Sequence, residues 1–269
     1  MIRGLIRRDG TLMSTSTALQ EAALHGNVDG YPLPVLSMAL RDFPRKHPSA
    51  SQIASVTWRR SVLEALLDYY VRVSDRYALV RGSLIHNGFE AFQVPKGLQL
   101  VREKRLKVNI PKFPEKVLSG QVDLYYPQHS RLEDYKTCSK IPEVIKPDHV
   151  VQLAVYHWLL RWHQFPVDSV AINYIGWHDC MQVSRTELDD GTEGEAIGHS
   201  LFQNESRFIR HVVDAWDVLE AGYQGREVPS TKECDLRYCR YCPVKWACDC
   251  LDVWGGHINP EEFRQEEFV

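Results

Sequence analysis

The chain has 269 residues, 44% of them hydrophobic, which is enough for one large domain or one domain with a small appendage. Its 32 basic and 35 acidic residues leave a formal charge of −3, which excludes nucleic-acid binding by bulk basicity and confines any such role to a local basic surface. No run nears the roughly 18 apolar residues of a membrane span, and the N-terminus lacks the apolar core of a secretory signal, so a soluble, intracellular protein is expected.

Residues 1–48 are rich in Pro, Gly, Ser and Thr and read as a partly loose N-terminal extension, with a helical segment at Thr17 to His25 and an ill-defined apolar run at Val35 to Leu40. Ser49-Ala50-Ser51 then offers an N-cap, and the stripe Ile53, Val56, Val62, Leu63, Leu66, Leu67 and Tyr70 predicts a long core helix. A second helix is expected from near Arg81, with His86 and Glu90 one turn apart on one face. From Lys96 to Lys116 the chain is studded with Lys96, Arg102, Lys104, Arg105, Lys107, Lys112 and Lys116, a pattern that suits either a solvated strand or a surface that tracks phosphates.

Next come two short alternating runs, Val122 to Tyr126 and Leu132 to Lys136, joined by the polar turn Pro127 to Arg131. Side chains two apart share a strand face, so Leu132, Asp134 and Lys136 point one way and Glu133 and Tyr135 the other. Paired as a hairpin, the runs bring Asp123 to Asp134 and Lys136. Pro147 opens a helix, His149 to Gln164, that carries Gln152 and Tyr156 one turn apart. A strand follows at Asp168 to Trp177, then an acidic Gly-rich loop at Glu187 to Gly198, and a helix at Phe202 to Leu219. This order of elements makes an α/β or α+β sheet domain.

Two carboxylates beside a lysine suit a divalent cation with oxygen ligands, Mg²⁺ or Mn²⁺. Such a cation polarises a phosphate oxygen and acidifies bound water, and a lysine can orient that water, so the expected chemistry is phosphodiester hydrolysis. An Asp/Lys ion pair on a surface hairpin is the plainer alternative.

Four ordered motifs resemble the RecB-like branch of the PD-(D/E)XK nuclease superfamily, which includes CRISPR-associated adaptation exonucleases and phage recombination exonucleases. They are Gly82-Ser83-Leu84-Ile85-His86 for G-x-x-x-H, Gly120-Gln121-Val122-Asp123 for G-x-x-D, Asp134-Tyr135-Lys136 for (D/E)-x-K, and Gln152 to Tyr156 for Q-x-x-x-Y. The resemblance implies a restriction-endonuclease-like core, a central mixed sheet flanked by helices, over residues 49–228. It implies a metal held by His86, Asp123, Asp134 and the carbonyl of Tyr135, with Lys136 at the attacking water and Gln152 and Tyr156 positioning DNA or the site. Glu103 resembles a glutamate often found before the G-x-x-D strand, and it is taken, like Glu90, as a supporting residue.

The implied function is a metal-dependent DNA nuclease, an exonuclease in recombination, repair or phage DNA processing, in the cytoplasm of a bacterium or an infected host and with a recombination or replication protein as partner. Alternatives are a structure-specific endonuclease, or a DNA-binding scaffold subunit that keeps the fold.

The seven cysteines are uneven: Cys138 and Cys180 stand apart, while Cys234, Cys239, Cys242, Cys248 and Cys250 crowd into the C-terminal segment, residues 229–269, which ends in an acidic tail. Without a secretion signal this crowding suggests a metal site rather than disulfides. Cys239-x2-Cys242-x5-Cys248 resembles the tail of iron-sulfur members of the branch, whose fourth cysteine lies N-terminal to the core. Here that region, Ser55 to Arg60, has no thiol. Cys234 is the expected fourth ligand of a 4Fe-4S cluster, with zinc as the alternative.

Overall fold

The computed structural model describes residues 1–42, 47–55, 57–184, 205–230, 239 and 242–248. In chain order the strands are β1 (Ile2–Ile6), β2 (Leu12–Ser14), β3 (Asn27–Val28), β4 (Tyr31–Pro32), β5 (Tyr69–Val71), β6 (Val101–Ile110), β7 (Phe113–Tyr126), β8 (Arg131–Thr137), β9 (Ser169–Ile175) and β10 (Cys180–Ser184). The helices are α1 (Thr15–His25), α2 (Leu33–Ala39), α3 (Ala50–Ile53), α4 (Trp58–Leu66), α5 (Tyr77–Ala91), α6 (Pro147–Trp162) and α7 (Glu205–Tyr223). Among the described residues, no helix is long and apolar enough to cross a membrane.

The chain forms two compact units. One comprises Met1–Lys46, Val56–Ser83 and Val218–Val269, the other His47–Ser55 and Leu84–Asp217. In the first unit, β1 lies between β2, antiparallel, and β5, parallel, so residues expected to be loose instead form a small sheet. Local chemistry supports this: the Ser14 hydroxyl accepts from the Thr17 amide and caps α1, whose end turns at Gly26 with a left-handed φ of 83°. Leu5, Leu36, Val62, Leu63, Leu67 and Leu219 are buried in this unit. The guanidinium of the buried Arg59 donates to the carbonyls of Pro229 (2.8 Å) and Cys248 (3.0 Å).

The long core helix expected from Ser49 to Tyr70 is instead three pieces, α3, α4 and strand β5. Ser49 and Gln52 close a capping box around α3, a second helix starts after Thr57, and the aromatic and β-branched run Tyr69–Val71 pairs with β1. Ile53, Val62, Leu63 and Leu67 of the stripe are buried, but the intervening sequence Ser55-Val56-Thr57 consists of weak helix formers and the pieces serve different units.

The second unit is built on a mixed five-stranded sheet in the order β10-β9-β8-β7-β6, flanked by helices as in a restriction-endonuclease-like fold. The expected hairpin is present: β7 pairs antiparallel with β8 through Leu124↔Glu133, Tyr125↔Leu132 and Tyr126↔Arg131. Strand β8 pairs parallel with β9, and α6 is the crossover between them. Nearly every side chain from Val150 to Leu160 is buried, as expected for a helix covered on most sides, so α6 is the core of the unit. Acidic residues 187–198, Cys234 and Cys250 lie outside the described residues.

Candidate active site

The G-x-x-D motif, midway along β7, begins with a close approach. A Cβ on Gly120 would lie 2.8 Å from Tyr156 Cε1 and 2.9 Å from Leu159 Cδ1, so only a residue without one lets α6 settle against β7 there. That contact sets the height of Tyr156, and through it of Gln152, whose Nε2 donates to Tyr156 Oη at 2.6 Å. Gln152 Oε1 in turn accepts from Lys136 Nζ at 3.0 Å.

Lys136 extends from β8 between its own strand and α6, meeting Asp134 Oδ1 at 2.9 Å and Oδ2 at 2.7 Å. Only the first contact has hydrogen-bond geometry, so Asp134 Oδ2 is buried without a proper donor. Burial alone would depress the Lys136 pKa, but the charges of Asp134 and Asp123 outweigh it and raise the pKa, so the amine is a firm ammonium. Burial and the positive charges of Lys136 and Lys146 lower the pKa of His149, one turn before Gln152 on α6, to about 3. Its neutral ring contacts the Tyr174 hydroxyl through Nδ1 at 2.9 Å.

Asp123 is buried, and its Oδ2 accepts the backbone N–H of Tyr135 at 2.9 Å. Burial and the nearby Asp134 push its pKa up to about 7, against the opposing pull of Lys136 and His86. Two carboxylates are being held where a cation would relieve both. His86 delivers Nδ1 to 3.8 Å from Asp123 Oδ1 and 2.9 Å from Glu103 Oε1. The hydrogen bond with Glu103 raises its pKa over the opposing effect of burial.

Glu103 is the residue that sequence reasoning undervalued. It belongs to the donor set: one ligand atom each from His86, Glu103 and Asp123 lie within 4.8 Å of one another, the only such group of three among the described residues. Its backbone has φ 45°, left-handed, between the paired residues Arg102↔Leu124 and Lys104↔Val122. A non-glycine residue there costs about 1–3 kcal/mol and persists only where the surroundings impose it. A signal was present, since Glu103 is the only acid between Lys96 and Lys112.

Of the anticipated ligands, the structure thus joins His86 and Asp123 with Glu103, and places Asp134 beside Asp123 but engaged by Lys136. Glu90 is exposed. One imidazole and hard carboxylate oxygens, with a raised carboxyl pKa and an undonated buried oxygen on Asp134, fit Mg²⁺ or Mn²⁺.

The basic strand divides by role. Lys104, Arg105 and Lys107 are exposed on β6. Arg102 instead donates to the carbonyls of Phe89 and Phe92, and Lys116 is buried, paired with Asp217 and 4.7 Å from the Trp216 ring centroid. On the other face of β8, Glu133 is buried and accepts from Tyr135 Oη (2.7 Å), Asn173 Nδ2 (3.1 Å), Gln182 Nε2 (3.3 Å) and Arg131. The Tyr135 ring packs on Phe89 of α5 with centroids 4.3 Å apart.

In the C-terminal segment Cys239, Cys242 and Cys248 are of intermediate exposure, and the Cys242 amide donates to the Cys239 carbonyl at 3.2 Å. Burial pushes the Cys242 thiol up to about 11. These three thiols do not form a donor group as close as that of His86.

The sequence model of the PD-(D/E)XK nuclease superfamily matches residues 31–249. A crystal structure of a protein designated SSO0001 superposes with a TM-score of 0.53 at 14% identity, covering 81% of this chain and 92% of the other. A phage-related exonuclease from Haemophilus somnus 129PT matches at 14% identity with a TM-score of 0.30, over 62% of this chain and 79% of its own. No curated protein sequence matches significantly.

Proposed function

We propose that this chain, which belongs to the PD-(D/E)XK nuclease superfamily, is a Mg²⁺- or Mn²⁺-dependent DNA nuclease, an exonuclease acting in recombination, repair or phage DNA processing. The observation that carries this reading is the convergence of His86, Glu103 and Asp123 donor atoms within 4.8 Å, beside an Asp134–Lys136 pair. His86, Asp123 and Glu103 would hold the cation, with Asp134 and the Tyr135 carbonyl completing its surroundings. When bound, it supplies charge for the phosphate oxygens and lowers the pKa of a coordinated water.

The chain's own residues do the rest. Lys136, kept protonated by Asp134 and fixed in direction by Gln152, donates a hydrogen bond to the attacking water and opposes the negative charge that grows on the phosphate. Tyr156 fixes the amide of Gln152 and thereby orients Lys136. The water oxygen bonds to phosphorus, the P–O ester bond breaks, and the water proton leaves as the departing oxygen takes one up. The exposed Lys104, Arg105 and Lys107 on β6 provide phosphate contacts that carry no sequence information.

The test compares linear with covalently closed circular DNA, with Mg²⁺ and with chelator, for the parent and Asp123→Ala. Metal-dependent loss of linear DNA alone, abolished in the variant, supports an exonuclease. Cutting of the closed circle identifies an endonuclease, and cleavage that survives Asp123→Ala removes the site assignment.

For the C-terminal segment the reading is structural. Cys239, Cys242 and Cys248, with Cys234, offer soft thiolates for a 4Fe-4S cluster or zinc. Iron, sulfide and zinc analysis of anaerobically purified protein decides between them, and the absence of all three removes the site.

A further inference from the structure

We propose that Gln121 is a positioning residue of the metal site, holding Glu103 in its left-handed backbone conformation and presenting that carboxylate to the cation. The proposal rests on the metal-site reading above and assigns a role to a residue that is not itself a ligand.

The geometry is a chain of four side chains. The Arg105 guanidinium donates to Gln121 Oε1 at 2.8 Å, Gln121 Nε2 donates to Glu103 Oε2 at 2.6 Å, and Glu103 Oε1 meets His86 Nδ1 at 2.9 Å. An arginine only donates and a carboxylate only accepts, so the primary amide of Gln121 has one possible orientation between them. Each end of the amide fixes the other. Arg105 and Gln121 are direct cross-strand partners on β6 and β7, so both strands define the position of this amide.

Glu103 needs such a brace. Its backbone is the one left-handed position within β6, and a free glutamate side chain there would have many rotamers from which to choose. With Oε2 held by Gln121, Oε1 is left on the side of His86 and Asp123, where the donor group forms. Partners that orient a ligand in this way commonly matter about 10-fold or more to metal affinity. The outer end of the chain, Arg105, is exposed on the basic strand, so the brace begins where a DNA phosphate would arrive.

The test is a Mn²⁺ titration of the full chain without DNA, followed by electron paramagnetic resonance, for the parent, Gln121→Met, Glu103→Ala and the double variant. Gln121→Met keeps the length of the side chain and removes both polar ends. The expected result is about a 10-fold loss of Mn²⁺ affinity with an unfolding midpoint close to the parent's, and no further loss when it is added to Glu103→Ala. An unchanged affinity, or an equal loss in the Glu103→Ala background, overturns the proposal. If Gln121→Met does not fold, Arg105→Met at its exposed site carries the same cycle, with a smaller loss expected that also vanishes beside Glu103→Ala. Failure of the parent to bind Mn²⁺, or binding unaffected by Asp123→Ala, overturns the metal-site reading itself, whereas a site lost in Asp123→Ala but untouched by Gln121→Met sinks only the role of Gln121.

Discussion

The backbone N–H of Tyr135 donates to the side-chain carboxylate of Asp123 at 2.9 Å, immediately beyond Leu124↔Glu133, the last ladder pair between β7 and β8. A donor that would continue the sheet is spent on a side-chain carboxylate instead. The paired ladder therefore stops short of Asp123, and this buried carboxylate has a fixed direction.

That carboxylate strains the protein when no cation is bound. Its folded pKa of about 7 lies above the value of about 4 expected in the unfolded chain. Between these values the native state holds a proton that the unfolded state has released, so metal-free stability falls as pH rises from about 4 to 7 and is level above. In chelator, Asp123→Asn is expected to be more stable than the parent at pH 8, by at most about 4 kcal/mol, and equal to it near pH 4. Thermal melts across this range check the sign. Metal affinity of the parent should rise over the same window, because binding displaces that proton.

Lys136→Met should lower DNA cleavage by about 10²–10⁴-fold while DNA affinity, read by fluorescence anisotropy with Ca²⁺ in place of Mg²⁺, changes little. The variant leaves Asp134 buried without its cation, so it is expected to be less stable in chelator and to recover part of that loss when metal is added. Cleavage at the parent's rate would remove Lys136 from the reaction.

Gly120→Ala places a methyl group 2.8 Å from the Tyr156 ring, and the helix or the strand must move. A destabilisation of about 1–3 kcal/mol in urea unfolding is expected, with a fall in cleavage larger than the fall in metal affinity, since Gln152 and Lys136 lie downstream of the displaced tyrosine.

Arg59→Met removes two donors in the first unit, one to the buried carbonyl of Pro229 and one to the part-buried carbonyl of Cys248. A loss of about 1–3 kcal/mol is expected, together with faster labelling of Cys248, whose carbonyl Arg59 holds. An unchanged labelling rate would show that the tail is held by other contacts.

The hairpin and the lysine beside it were legible from sequence because they rest on local periods: alternation places Asp134 and Lys136 together, and a short turn sets the pairing with Asp123. The Gln152/Tyr156 pair was legible for the same reason, as one turn of helix. Glu103 was harder. Its place in the donor group depends on a left-handed kink and on Gln121 across the ladder, which no local pattern states. The N-terminal sheet escaped notice because β1 gains its parallel partner from β5, more than sixty residues away, and the split of the supposed Ser49 helix follows from the same pairing. The basic strand read as uniform, yet Lys116 is buried beside Trp216, a fate set by tertiary packing.

The two acids at the centre of β8, Glu133 and Asp134, are neighbours in sequence with opposite assignments, one to the polar network with Asn173 and Gln182, the other to Lys136. A slip of β8 by a single residue that put Glu133 in Asp134's place would turn Asp134 to the opposite face and put Tyr135 where the lysine stands. Of the four donors that converge on Glu133, Asn173 on β9 and Gln182 on β10 belong to other strands, and these two therefore act as a register lock. They lie on the far face of the strand from Lys136, yet they decide which of the two carboxylates stands beside it.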